Sequence, residues 1–165
     1  MMNVELLFMD VDGTLTDGKI YMGVGGELFK VFDIKDGFAI HDILPVCGII
    51  PVIISSRESD IVINRCKELG IKHIYQKCNN KKEQMLGIAK SFDITLNENG
   101  ILSKTAYIGD DLSDLECIKI VEYSGCPADA VKQVKKNVSY ISGYPGGNGA
   151  VRDFIEWLLD LNSEQ

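Results

Sequence analysis

Two carboxylates one residue apart, Asp10 and Asp12, end a short apolar run from Val4 to Met9, and Gly13 and Thr14 then turn the chain away. Carboxylates held that close repel each other unless a cation or a shared proton relieves them, so the pair points to a hard metal ion such as Mg2+. One carboxylate could attack an electrophile while the other exchanges a proton with the leaving group. A second acidic group, Gly109-Asp110-Asp111-Leu112-Ser113-Asp114, ends another apolar run, Thr105 to Ile108. If the two runs are neighbouring strands, the acidic groups meet at one sheet edge as an oxygen-ligand metal site. Capping of a following turn by Ser113 or Asp114 accounts for part of the second group without chemistry.

Two further positions suit an anion. Ser55-Ser56-Arg57 ends the run Ile49 to Ile54, where a hydroxyl, backbone donors and a guanidinium fit a phosphate. A serine there serves equally as a helix cap. Lys81 opens a helix after the run His73 to Tyr75 and would bring an ammonium to the same edge, although beside Lys82 it also reads as a surface lysine.

The elements that must hold these groups alternate. The apolar runs above, with Val138 to Ile141, read as short buried strands. Between them lie segments with helical apolar spacing: Ile61 to Leu69, stopped by Gly70, then Met85 to Phe92 and Val151 to Leu161. Alternating strands and helices predict an α/β fold with a doubly wound parallel sheet. One section breaks the alternation. Lys19 to Met22 and Glu27 to Phe32 flank Gly23-Val24-Gly25-Gly26, a β-hairpin inserted after strand 1, where ligands bind in such sheets. Ile20, Tyr21, Met22, Leu28, Phe29, Val31 and Phe32 put more apolar surface on that hairpin than a monomer would leave exposed, so a closed homo-oligomer is expected. Asn97 to Ser103 reads as a polar loop.

The chain of 165 residues suits one domain, 1–165, and its 45% hydrophobic and 25% charged residues exclude a disordered protein. A net charge of −7, from 17 basic and 24 acidic residues, repels phosphate backbones and anionic lipid, so neither nucleic acid nor membrane is an expected partner. The five cysteines, Cys47, Cys66, Cys78, Cys117 and Cys126, include no CxxC pair and read as buried reduced thiols. The N-terminal apolar run ends at Asp10 without a basic leader, so a cytoplasmic protein is expected.

The order Asp-x-Asp-Gly-Thr, Ser, Lys, Gly-Asp-Asp, each closing a strand, resembles the haloacid dehalogenase superfamily of phosphohydrolases. The resemblance implies that Asp10 is the phosphoryl-accepting nucleophile, Asp12 the general acid and then base, Ser55 a phosphoryl donor and Lys81 a charge stabiliser. It also implies Mg2+ on Asp10, the Asp12 main chain and Asp110, with Asp111 and Asp114 supporting them. Further segments resemble the small capless branch that includes 3-deoxy-manno-octulosonate 8-phosphate and nonulosonate 9-phosphate phosphatases. These are Tyr21-Met22-Gly23, Phe32 to Gly37, Arg65 to Gly70, Tyr75-Gln76, Pro127 to Ala130 and Gly146 to Arg152. The branch implies a HAD-like Rossmannoid fold without a cap domain. It also implies a homotetramer whose hairpins form a central barrel, with active sites shared between subunits.

A small phosphorylated sugar acid is the implied substrate, contacted by Asp12, Asp33, Ile34, Lys35, Asp36, Gly37, His41, Arg57, Arg65, Lys81 and Ser113. The chain departs from the branch at His41, Ser56, Ser113 and Asn148, all toward the sugar-acid side. Arg57 favours an octulosonate over a nonulosonate, whereas His41, which by itself reads as a solvated helix residue, points the other way. Two other functions share some of these residues. A signalling receiver places its acidic pair before a later phospho-accepting aspartate, but Ser55 stands at that later strand end. A catalytically inactive regulatory module of sialic acid activation, the third possibility, would not need intact Asp10, Asp12, Lys81 and Asp110.

Overall fold

The computed structural model describes residues 4–163; the expected domain, 1–165, runs past them at both ends. Strand β1, Leu6–Met9, is buried at every position because it lies mid-sheet with both faces covered. Hairpin strands β2, Tyr21–Gly23, and β3, Gly26–Phe29, follow it and pair antiparallel in a separate two-stranded sheet. Their register shifts between Tyr21 and Met22, and Tyr21 stacks on Phe29 with ring centroids 4.4 Å apart. Thr16 and Phe32 close the base of the hairpin.

The chain next forms α1, Ile34–Phe38, a π-helical turn over Ala39–Ile43, and α2, Leu44–Val46. Strand β4, Ile50–Ile54, helix α3, Asp60–Glu68, strand β5, His73–Tyr75, and helix α4, Lys81–Ser91, continue the alternation. Then come β6, Leu102–Ile108, a 3-10 turn over Leu112–Asp114, α5, Leu115–Ile118, β7, Val121–Cys126, α6, Lys132–Lys135, β8, Tyr140–Ile141, and α7, Ala150–Ser163.

The main sheet is parallel throughout, in the order β5-β4-β1-β6-β7-β8. Alternation along β1 divides the core. Leu7 and Met9 pack with Ile40, Leu44, Val62 and Phe154 on one face, Leu6 and Phe8 with Met85, Ile88, Cys117 and Val134 on the other. This is the expected doubly wound α/β class, with the hairpin after strand 1. The chain runs outward from β1 to β4 and β5, then returns to β6 on the other side of β1. The order therefore reverses between β1 and β6, where such sheets open a crevice at their carboxyl ends.

Two local expectations need correction, and one strand had no expectation at all. The loop expected over Asn97 to Ser103 ends early, because Leu102 is fully buried and starts β6. Strand β7 went unread because Glu122, Ser124 and Gly125 interrupt its apolar run; Ser124 bonds Ser139, and Gly125 leaves room for the Phe154 ring. Cys47 is exposed as the C-cap of α2, while the other four cysteines are buried. Burial pushes the Cys66 and Cys126 thiols up to about 11 and Cys117 to about 12, which leaves them unreactive at neutral pH. Among the described residues, no helix is long and apolar enough to cross a membrane.

Candidate active site

The carboxyl ends of β1 and β6 bring the two acidic groups together. Asp10 follows β1 and its backbone N–H donates to the Ile108 carbonyl at 3.0 Å, so the adjacent strand sets its position. Lys81, first residue of α4, is delivered by a helix start that Asn80 caps by accepting from the Glu83 amide. Its ammonium is buried and donates to Asp10 Oδ1 at 2.6 Å and to Asp114 Oδ1 at 2.8 Å. Asp114 is fully buried and saturated. Its Oδ1 also accepts from the Tyr107 hydroxyl at 2.7 Å, and its Oδ2 from the Asp110 and Asp111 amides at 3.0 and 3.1 Å. Asp110 accepts from the Thr14 hydroxyl at 3.3 Å. Gly13, at φ +96°, passes so close that a Cβ there would overlap the Asp110 carboxylate, so both backbone conformation and space require glycine.

Oxygens of Asp10, Asp110 and Asp114 lie within 4.8 Å of one another. Burial and the Asp114 charge raise Asp10 well above the ordinary carboxylate range despite Lys81. The same two causes push Asp110 up to about 6. Burial works against the Lys81 ammonium, but the Asp10 and Asp114 carboxylates prevail and raise it. Three acids thus face one cation, and a hard divalent ion would relieve the excess. The donor set fits such an ion on Asp10 and Asp110. Asp114, with four donors already on its two oxygens, instead orients Lys81 and the Asp110 turn.

Asp12 points elsewhere. Lys30 donates to its Oδ1, and Arg57 Nε lies 4.0 Å from its Oδ2. Glu27 pairs with Lys30 at 2.8 Å and is held low first by that hydrogen bond. Ser55 is buried at the end of β4; its Oγ accepts from the Arg57 amide at 3.3 Å, which leaves its own hydrogen to donate. One wall therefore carries a buried carboxylate suited to attack. Beside it stand a partly exposed carboxyl group suited to proton exchange and two donors suited to a phosphoryl group.

The remaining expected contacts are placed unevenly. Asp33 caps α1, accepting from the Lys35 and Asp36 amides. Asp36 is buried and accepts from the Arg152 amide at 2.8 Å. Lys35 lines a cavity of about 290 Å³ with Tyr144, Asn148 and Arg152. Ile34 and His41 are exposed, and His41 faces Asp42 at 3.2 Å. Arg65 lies over Gly37 and the Phe32 ring and pairs with Glu68. Asp111 caps the 3-10 turn, on which Ser113 is exposed.

Sequence reasoning passed over Thr14, Lys30 and Tyr107. Thr14 stood within the quoted Asp-Gly-Thr motif and Lys30 as the single cation in an apolar hairpin strand; Tyr107 gave no signal apart from its strand.

No protein-family model matches the chain. It is 39% identical over 157 residues, 95% of its length and 80% of the relative's, to 3-deoxy-D-manno-octulosonate 8-phosphate phosphatase KdsC of Escherichia coli K12. Among solved structures, it resembles the cobalt-bound octulosonate 8-phosphate phosphatase YrbI of Haemophilus influenzae. The TM-score is 0.89 at 32% identity, over 98% of this chain and 91% of that one. The Moraxella catarrhalis 3-deoxy-D-manno-octulosonate 8-phosphate phosphatase, in complex with magnesium, phosphate and KDO, matches at TM-score 0.88 and 35% identity. That likeness spans 99% and 95% of the two chains.

Proposed function

The chain belongs to the KdsC/YrbI-like phosphatases of the haloacid dehalogenase superfamily, and from that premise we propose that it hydrolyses 3-deoxy-D-manno-octulosonate 8-phosphate with Mg2+, through an aspartyl-phosphate. It is a phosphoric monoester hydrolase. The observation that carries the mechanism is the separation of the two carboxyl groups. Asp10 is buried against Lys81, while Asp12 turns outward to Lys30 and Arg57.

In this reading, Asp10 attacks phosphorus, and the bond from phosphorus to the C8 oxygen breaks as Asp12 passes its proton to the departing oxygen. Water then attacks the phosphorus of the aspartyl-phosphate, gives its proton to Asp12, and frees Asp10. Ser55 donates to the phosphoryl oxygens, and Lys81 offsets their charge while fixing Asp10. Asp10, Asp110 and the Asp12 main chain would hold the Mg2+, which when bound supplies charge neutralisation among these acids and the phosphoryl oxygens.

Arg57 on the rim, with the similarity to octulosonate phosphatases, supports an octulosonate over a nonulosonate. Lys35, His41 and Arg65 are further rim candidates for the sugar acid. We propose a cytoplasmic homotetramer as the working form; the exposed hairpin, where Met22 and Leu28 are 63% and 62% exposed, supports association between copies.

The test measures phosphate release from octulosonate 8-phosphate and nonulosonate 9-phosphates across a Mg2+ titration. Preference for the octulosonate ester with strict Mg2+ dependence is expected. Preference for a nonulosonate would reassign the substrate, and no release from either would overturn the reading.

A further inference from the structure

Phe29 and Val31 on the hairpin are exposed, but Lys30 between them turns inward with a side chain only 1% exposed. Burying an ammonium is costly unless its donors find partners. Two carboxylates meet this one: Asp12 Oδ1 accepts from Nζ, and Glu27 Oε1 lies 2.8 Å away. Glu27 is itself tied to the start of α3, since Ser59 Oγ donates to its Oε2 at 2.7 Å, and Arg57 Nη2 lies 3.5 Å from its Oε1. The ammonium is thus anchored on elements outside the loop that carries Asp12.

We propose that Lys30 is the positioning residue of the acid–base step, holding one oxygen of Asp12 so that the other is the one presented to the reacting oxygen. The proposal rests on the phosphatase reading above. The hydroxyls of the loop from Asp10 to Thr16 are engaged elsewhere, because the Thr14 hydroxyl goes to Asp110 and Thr16 Oγ1 accepts from the Gly13 and Gly18 amides. Without Lys30, Asp12 keeps its backbone place and the long 4.0 Å approach of Arg57 Nε to Oδ2, but loses the hydrogen bond on Oδ1 that selects its side-chain rotation. A proton delivered along the wrong line matters in proportion to how much the leaving group needs it. An alkoxide needs the proton as its bond to phosphorus breaks; a nitrophenolate departs without it.

The experiment compares wild type and Lys30→Met in kcat/KM at saturating Mg2+ on p-nitrophenyl phosphate, phenyl phosphate and a simple alkyl phosphate without a carboxylate. The expected loss is at least tenfold larger on phenyl and alkyl phosphate than on p-nitrophenyl phosphate. Equal losses on all three, as a general structural defect gives, or no loss on any, overturn the proposal. Because Lys30→Met leaves the partly buried Glu27 with only the Arg57 guanidinium 3.5 Å away, the paired variant Glu27→Gln/Lys30→Met removes both charges of the Lys30–Glu27 pair and is measured alongside. It must show the same leaving-group selectivity, and wild-type selectivity in it refutes the positioning role. Wild type inactive on every ester would defeat the phosphatase reading and this proposal with it.

Discussion

Gly146→Ala probes a contact with the backbone of the loop that carries Asp12, not with the acidic side chains of the site. A Cβ at Gly146 would sit inside the Gly13 carbonyl group and 3.0 Å from the Thr16 carbonyl oxygen. Neighbouring bonds hold this stretch, a strap over residues 143–147, in place: the Gly146 amide donates to Asp129 Oδ1 at 2.9 Å, and the Gly147 amide to the Thr14 carbonyl at 3.1 Å. Because the obstructing atoms are backbone, no side chain can swing aside, and either strap or loop must retreat. Overpacking of this kind costs about 1–3 kcal/mol, a fall in Tm of roughly 2–12 °C for a chain this size. The functional cost is of similar size, because the loop carries Asp12 and the Thr14 hydroxyl that touches Asp110. A displacement of about 1 Å there is worth roughly 100-fold in rate. The control is Gly143→Ala in the same segment, where a Cβ meets nothing within 4 Å and stability should hold within about 0.5 kcal/mol. Both variants are assayed for phosphate release well below their melting temperatures. Wild-type kcat/KM in Gly146→Ala would refute the idea that the strap sets the loop.

Asp10→Asn should reduce turnover to background, since an amide offers no anionic nucleophile. Without Mg2+ it should melt no lower than wild type, because one of three crowded acids is neutralised; phosphate release together with a thermal melt checks both. Arg57 is 42% exposed on the rim, and Arg57→Ala should cost a sugar-acid phosphate about 1.5–3 kcal/mol, or roughly 10- to 150-fold in kcat/KM, beyond its cost on an aryl phosphate. Equal losses would place it at the phosphoryl group. Sedimentation should find a closed oligomer that Leu28→Glu with Met22→Lys dissociates, and a wild-type monomer at micromolar concentration would contradict the hairpin interface.

The positions of Asp10, Asp12, Ser55 and Asp110 were legible in the sequence because each follows a short apolar run, and strand ends are local features of the chain. Alternating strands and helices likewise exposed the parallel sheet, and glycines between apolar stretches the hairpin. Those signals depend on neighbours a few residues away. Direction and partnership do not. That Asp12 turns from Asp10 toward Lys30, and that Asp114 is consumed by Tyr107 and Lys81, depend on where other segments arrive. Strand β7 escaped because Ser124 is satisfied by the Ser139 amide just ahead of β8, and Gly125 lies under the Phe154 ring. Gly146 carried only its place in a segment that resembles the branch until the fold laid it against Gly13. Excluded volume between distant backbone segments leaves no periodic trace in a chain, so only tertiary structure decided it.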